Sequence, residues 1–261
     1  MIAHLRDSQP QPEPQMTTRL TVTDLTRAYR SDIGIAGYTE ARECVRLVRR
    51  ESALPQSLIV RRQALVVAPF AVIELVLLNP AAQPPFTEDC CFDPTTLKFL
   101  YFETQREEVL YWSLFKSVEA VFGQEVVSEP EYHVLPGRGP RSLGTIAPER
   151  LIRVIYDHGH AEQYIYRLAF IDGARRTYTL EVADLAWRCY CDHLHAGGVS
   201  PRAIGKALTE RLRKARLFLR LGLERRWQSR PPRCFLQITG IYTVPDYLGG
   251  LSLADLLLKQ G

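Results

Sequence analysis

The apolar positions of this 261-residue chain fall mostly in short alternating runs rather than at helical spacing, which predicts a fold dominated by strands. Leu20-Thr21-Val22-Thr23 and Cys44-Val45-Arg46-Leu47-Val48 read as two strands around a turn-rich segment holding Gly34 and Gly37. Residues 64–78 supply one or two more, the second being the β-branched run Val72-Ile73-Glu74-Leu75-Val76, which Asn79-Pro80 ends. The proline-rich, acidic residues 81–94 read as a loop. Thr104 then stands as a cap for a helix over about 105–122. Val109, Leu110, Trp112, Phe115, Val118, Val121 and Phe122 recur near helical spacing there, and Gly123 sits where a stop belongs.

The second half begins at Pro136-Gly137-Arg138-Gly139-Pro140, a helix-hostile segment that suits a boundary or a functional loop. From 151 the pattern is a three-stranded meander, 151–156, 163–171 and 175–182, turning at Asp157-His158-Gly159-His160 and at Asp172-Gly173. Ser200-Pro201 caps a helix over about 201–215, because proline is tolerated in the first turn. Two strands, 217–223 and 234–244, close the chain.

The expected class is therefore mainly β with a few α-helices, arranged as two tandem small barrels with one helix each, since regular strand and helix alternation is missing. Residues 19–135 form the first, with its helix at about 105–122, and 136–261 the second, with its helix at about 201–215. Residues 1–18 are expected to be a disordered tail, having Pro10, Pro12 and Pro14 among Gln and Glu and no apolar centre of a secretory signal. A short echo, Leu20-Thr-Val-Thr-Asp-Leu25 against Leu180-Glu-Val-Ala-Asp-Leu185, recurs at the 160-residue offset that also relates Ala36-Gly37 to Ala196-Gly197. Duplication or chance explains it.

Composition narrows the class. With 46% hydrophobic and 24% charged residues the chain can bury a sizeable core. The longest apolar run, 64–78, is cut by Pro69 and carries Glu74, so no membrane association is expected. Six cysteines are too few for a disulfide scaffold of this length, and a cytoplasmic location with reduced thiols follows as an expectation.

Net charge is only +4, but it is unevenly spread: eleven basic residues between 201 and 233, against Glu210 and Glu224, leave the rest of the chain acidic. On the predicted helix, Ile204, Leu208, Leu212 and Ala215 form a buried stripe, while Arg202, Lys206, Arg213 and Arg216 fall on the opposite side. Such a line suits a phosphate backbone, since each contact releases counterions. A plain solvated face is the alternative. Arg220, Arg225 and Trp227 extend the basicity, and Trp227 offers a ring on which a base could stack, or simply packs on arginine.

Other chemistry is weak. Cys189-Tyr-Cys191-Asp-His193-Leu-His195 carries four soft ligands, but at alternate positions rather than in two knuckles, so no metal is assigned. The chain has no G-x-S-x-G elbow, and the 136–142 loop lacks the G-K-[ST] ending of a phosphate loop, so no catalytic residue and no cofactor are assigned and the balance leans away from an enzyme. Arg138 and Arg141 on that loop could still clamp an anion. Glu88, Asp89 and Asp93 read as a solvated acidic loop rather than a magnesium site.

Several segments carry a family likeness: Thr23-Asp-Leu-Thr-Arg27, Ala36-Gly37-Tyr38, Cys44-Val-Arg46-Leu-Val48, Tyr166-Arg-Leu, Tyr178-Thr-Leu-Glu-Val-Ala-Asp184 and Cys234-Phe-Leu-Gln-Ile-Thr-Gly240-Ile-Tyr. On these the chain resembles the bacterial dual OB-containing domain proteins, over about residues 20–248. It departs from that pattern at Arg46-Leu47-Val48, where Arg-Pro-Val is usual. The resemblance implies two tandem OB-like β-barrels and a role in nucleic-acid transactions, in bacterial defence or processing, and brings no catalytic residues. The expectation is a non-enzymatic module binding DNA or RNA through Arg202, Lys206, Arg213, Arg220, Arg225 and Trp227, with Arg27, Arg46, Arg138 and Arg141 as secondary contacts. The alternative is a protein-interaction scaffold beside a partner enzyme.

Overall fold

The computed structural model describes residues 17–27, 32–49, 54–61, 64–159, 163–226 and 232–258. In chain order the elements are β1 (Thr17–Arg27), β2 (Asp32–Thr39), β3 (Cys44–Val48), β4 (Leu54–Pro55), β5 (Val60–Arg61), β6 (Ala64–Leu65), β7 (Ala71–Pro80) and β8 (Asp89–Phe102), then α1 (Arg106–Tyr111), β9 (Leu114–Phe115) and α2 (Val118–Phe122). There follow β10 (His133–Val134), β11 (Leu143–Ile146), β12 (Arg150–His158), β13 (Tyr164–Ile171), β14 (Thr177–Val182), α3 (Leu185–Ala196), α4 (Pro201–Arg213), β15 (Arg216–Arg226), β16 (Arg233–Val244) and α5 (Leu253–Leu258). No helix among the described residues is long and apolar enough to cross a membrane.

Five strands of the first half close into a barrel in the order β1-β7-β8-β3-β2, with β2 returning to β1. Every neighbour is antiparallel except β3 and β8, which run parallel. Closure depends on β1, whose residues 17–21 face 72–76 of β7 while residues 20–27 face 33–39 of β2. An irregularity between Val22 and Asp24 bends the strand so that it can serve both neighbours. Gly37 permits the close crossing: a Cβ there would stand 2.1 Å from the Thr21 carbonyl oxygen.

Two expectations for this half are corrected. Residues 81–94 are not all loop, because β8 begins at Asp89 and passes through Asp93-Pro94. The ladder slips there, with Asp93 opposite Val76 but Lys98 opposite Glu74, and the extra residues take up the proline while Asp93 Oδ1 accepts from the Thr95 amide (2.9 Å). The single helix over 105–122 is instead two short ones. Leu114 and Phe115 between them pair in parallel with Thr145 and Ile146, and Ser117 restarts the helix by accepting from the Ala120 amide. Gly123 does stop it, at φ 63°.

The second half realises the predicted meander as β12, β13 and β14, and the last two strands as β15 and β16. Its sheet runs β12-β13-β14-β16-β15-β11-β9, with β14 and β16 parallel and β10 attached to β16. This is not a second closed barrel. The strands that closure would have to join are β11, which lies between β15 and β9, and β12, and these are successive pieces of chain broken at residues 147–149, where Pro148 stands.

The free edge of β12 is covered by α4 instead. Thr209 Oγ1 accepts from the Val154 amide (2.8 Å) and donates to the Gly205 carbonyl (2.7 Å), and Arg213 Nε donates to the Leu151 carbonyl (3.2 Å), with Nη2 on Ile152 O. A helix thus satisfies the edge groups that another strand would have taken. It ends at Arg213, close to expectation, and is preceded by α3, which Asp184 caps through the Ala186 and Trp187 amides.

Both halves share one strand plan: a first strand or strand pair, two strands in meander, then an antiparallel pair whose last member lies parallel to the third. The 160-residue echo does not register it. Leu20–Leu25 lies on the first strand of the barrel, whereas Leu180–Leu185 ends the third strand of the other sheet. One hydrophobic cluster runs through both halves, from Leu20 and Ile73 to Tyr156, Ile238 and Leu256. The second sheet also takes β9 and β10 from before residue 136, so the division between sheets falls ahead of Leu114.

Candidate nucleic-acid interface

The cations named from the sequence do not share one surface. Arg220 is wholly buried (0%), so it is not available to a phosphate. Strand β15 is apolar on both sides of it, from Leu217 to Leu223, and leaves it no solvent face. Its Nη2 and Nε hold Asp24 of β1 at 2.8 and 3.0 Å, and Nη1 donates to the Tyr38 hydroxyl (2.6 Å), Ser113 Oγ (2.9 Å) and Thr145 Oγ1 (3.2 Å). Thr239 adds a bond to the other Asp24 oxygen. With Cys44 Sγ 3.9 Å from Nη2, every guanidinium nitrogen has a partner, as a buried charge requires, and the pair joins the barrel to the second sheet. Burial pushes the neighbouring Cys44 thiol up to about 12, so it stays protonated at neutral pH.

Arg46 and Arg141 also serve the fold. Arg46 meets Asp89 at 3.3 Å and the Ser142 carbonyl at 3.5 Å, over the Phe86 ring. Arg141 donates to the Ala120 and Val121 carbonyls at the end of α2, with its guanidinium 4.6 Å from the Phe115 ring centre. Arg213 spends its donors on β12, and Arg216 pairs with Glu107 at 2.6 Å. Arg27 and Arg138 are exposed but lie apart, at the end of β1 and in the 136–141 loop. Arg225 sits opposite Cys234 on β15, while its side chain, and Trp227 entirely, lie outside the described residues.

What remains is a shorter strip on the α4 and β12 face. Arg202 and Lys206 on α4 and Lys214 just beyond it are exposed. Because Gly205 and Thr209 lie against Val154 and Arg213 reaches Leu151 and Ile152, the helix runs alongside β12, whose Arg150 and Arg153 are exposed too. These five cations make no hydrogen bond or ion pair through their side chains among the described residues. The acidic groups of this face are Glu149, Asp157 and Glu210, so the strip keeps a positive excess.

Where β12 turns into β13 the strip meets a group of rings. Tyr164 stacks on Tyr156 (centres 4.9 Å apart, planes at 27°), and the exposed His158 ring lies 5.0 Å from Tyr164. The platform is held from beneath: the Tyr156 and Tyr166 hydroxyls both donate to Asp192 Oδ1, at 3.1 and 2.6 Å. His195 Nδ1 lies 2.9 Å from the Val199 carbonyl, which can only accept, so Nδ1 carries the proton and Nε2 accepts from the Tyr164 hydroxyl (2.8 Å). Burial, then Asp192, raises the Tyr156 hydroxyl pKa, so it remains a donor.

Cations in line with a braced aromatic surface can hold a sugar-phosphate backbone and stack an unpaired base. Sequence reasoning missed Arg150, Arg153 and Tyr164. For Arg153 the signal was the alternation along 153–157, which places Arg153 and Asp157 outward and Val154 and Tyr156 inward; Arg150 falls out of that alternation at the irregularity between Leu151 and Arg153. In α3, Cys189 and Cys191 are buried and His193 is exposed, and no group of three potential metal ligands occurs among the described residues. A scan of protein-family models finds no match to this chain, and a search of curated proteins finds no relative.

Proposed function

We propose that this chain is a non-enzymatic nucleic-acid-binding module built on two OB-like units, and that it holds DNA or RNA along the α4 and β12 face. The observation that carries the reading is the row of five exposed cations, Arg150, Arg153, Arg202, Lys206 and Lys214, unpaired among the described residues and leading to the Tyr164 and His158 rings. The strand plan supports it. A five-stranded barrel with its third and last strands parallel is an OB-like order, and OB folds use the loop between their first two strands for oligonucleotides. In the second unit that turn follows His158 and precedes Tyr164.

Binding of a labelled oligonucleotide, followed by anisotropy from about 50 to about 200 mM salt, tests the proposal. Affinity should fall steeply, with a slope of log K against log salt of roughly −3 if four to five phosphates are neutralised. Binding that is absent at low salt, or indifferent to salt, removes it. A second reading, a protein-interaction scaffold, is favoured by Phe99, Tyr101 and Phe102, exposed on β8. A stable partner co-purifying without nucleic acid would distinguish it.

A further inference from the structure

A cavity of about 580 Å³ lies between the end of the barrel, the β15–β16 pair and the C-terminal segment. Its walls are apolar: Phe70 and Leu110 on one side, Phe218 and Ile241 on the second, Tyr247 and Leu253 on the third. That size and lining fall in the range of small-molecule sites, which favour junctions between units. Two polar features distinguish it from a packing defect. Thr243 lines it and is buried (8% exposed), yet its hydroxyl has no hydrogen-bond partner among the described residues. A buried hydroxyl in a native fold ordinarily finds one.

Arg106 stands at the rim, its guanidinium 5.5 Å from the Phe70 ring centre. It makes no hydrogen bond among the described residues. Its ion-pair partner, Asp246, meets it at 3.9 Å through Oδ2, while Oδ1 accepts from the Leu248 amide at 3.0 Å. The other rim acid, Glu107, is held by Arg216 at 2.6 Å. Asp184, deeper in the lining, is occupied by the Ala186, Trp187 and Ile241 amides. The one cation of the lining is therefore a half-exposed guanidinium held, among the described residues, only by a 3.9 Å ion pair, with donors to spare for an anion.

We infer that this cavity binds a small apolar monocarboxylate, its body among the rings and its carboxylate on Arg106. The site shares no residue with the α4 and β12 strip and does not depend on the nucleic-acid reading. The test is calorimetric titration of the full chain with dodecanoate and with dodecanol, each below its aggregation threshold. Dodecanoate should saturate at one per chain and bind more tightly than dodecanol. Arg106→Gln, a change at an exposed side chain, should weaken dodecanoate about tenfold, the effect of one charge-assisted contact, and leave dodecanol unchanged. Ala254→Trp, placed on α5 to fill the space, should abolish both in protein that keeps its melting temperature. The proposal is overturned if no probe saturates at one site, or if Arg106→Gln binds dodecanoate as tightly as the unmodified chain.

Discussion

Arg220 shows how the same residue type takes opposite roles a few positions apart. Arg202 and Lys206 stay in water, whereas Arg220 is buried among Asp24, Tyr38, Ser113 and Thr145. Asp24→Ala should leave that guanidinium uncompensated and cost about 3–5 kcal/mol in urea unfolding, the usual result of removing one partner of a buried pair. A loss below about 1 kcal/mol would mean that the pair does not hold the halves together. The signal was present in the sequence: Arg220 interrupts the apolar run Leu217-Phe218-Leu219 and Leu221, so it belonged to a strand buried on both faces rather than to a basic surface. Its partner was not legible, because Asp24 lies 196 positions away.

Asp184, also buried, makes a pH argument at the same scale. Burial is the main cause that lifts its carboxyl to about 7, against the opposing pull of three backbone N–H groups. The folded value is above the unfolded one, near about 4. The folded chain therefore retains this proton more tightly, and the associated stability is full below about pH 4 and is lost as pH rises through about 7. Urea midpoints at pH 5 and pH 8 should differ more for the unmodified chain than for Asp184→Asn, which cannot titrate. Equal differences in the two proteins would contradict the assignment.

Among the elements, α4 does what a missing strand would do. Thr209 is the hinge of that substitution, since its hydroxyl meets the Val154 amide and the Gly205 carbonyl together. Thr209→Val keeps the shape but strands the Val154 amide, for an expected loss of about 1–3 kcal/mol and faster hydrogen exchange at Val154. Unchanged exchange there would show that the helix does not protect the edge. The helix itself was readable from Ser200-Pro201 and its buried stripe, and so were the meander strands, because these signals are local. The division of the 105–122 helix was not. Val109 to Phe122 keep helical spacing, and only the pairing of Leu114 and Phe115 with distant Thr145 and Ile146 pulls the middle into a strand.

At the scale of the whole molecule, two halves with one strand plan are fused by a continuous core and a buried ion pair, while only the first closes as a barrel. The β class and the five long strands β12 to β16 follow from alternation, whereas β9, β10 and β11 and the order of the sheet do not. Closure does not, because it depends on β1 being bent at Val22 and Asp24 whereas its counterpart is cut at residues 147–149. The local basicity of 201–233 was legible as charge, but its sorting into buried, helix-bound and free cations needed the packing. The fused core presents the cations of α4 and β12 beside the rings on a fixed frame, which is what the proposed binding role requires.

The most direct test is therefore charge reversal at two exposed positions of that strip. Oligonucleotide affinity at low salt should be compared for the unmodified chain, Arg202→Glu with Lys206→Glu, and Lys98→Glu, whose lysine pairs with Glu74 on the barrel. The account predicts that the double variant loses at least about tenfold in affinity and that its salt slope shrinks by about 1–2 units, while Lys98→Glu binds as the unmodified chain does. Equal affinity and equal slope in all three proteins would contradict it.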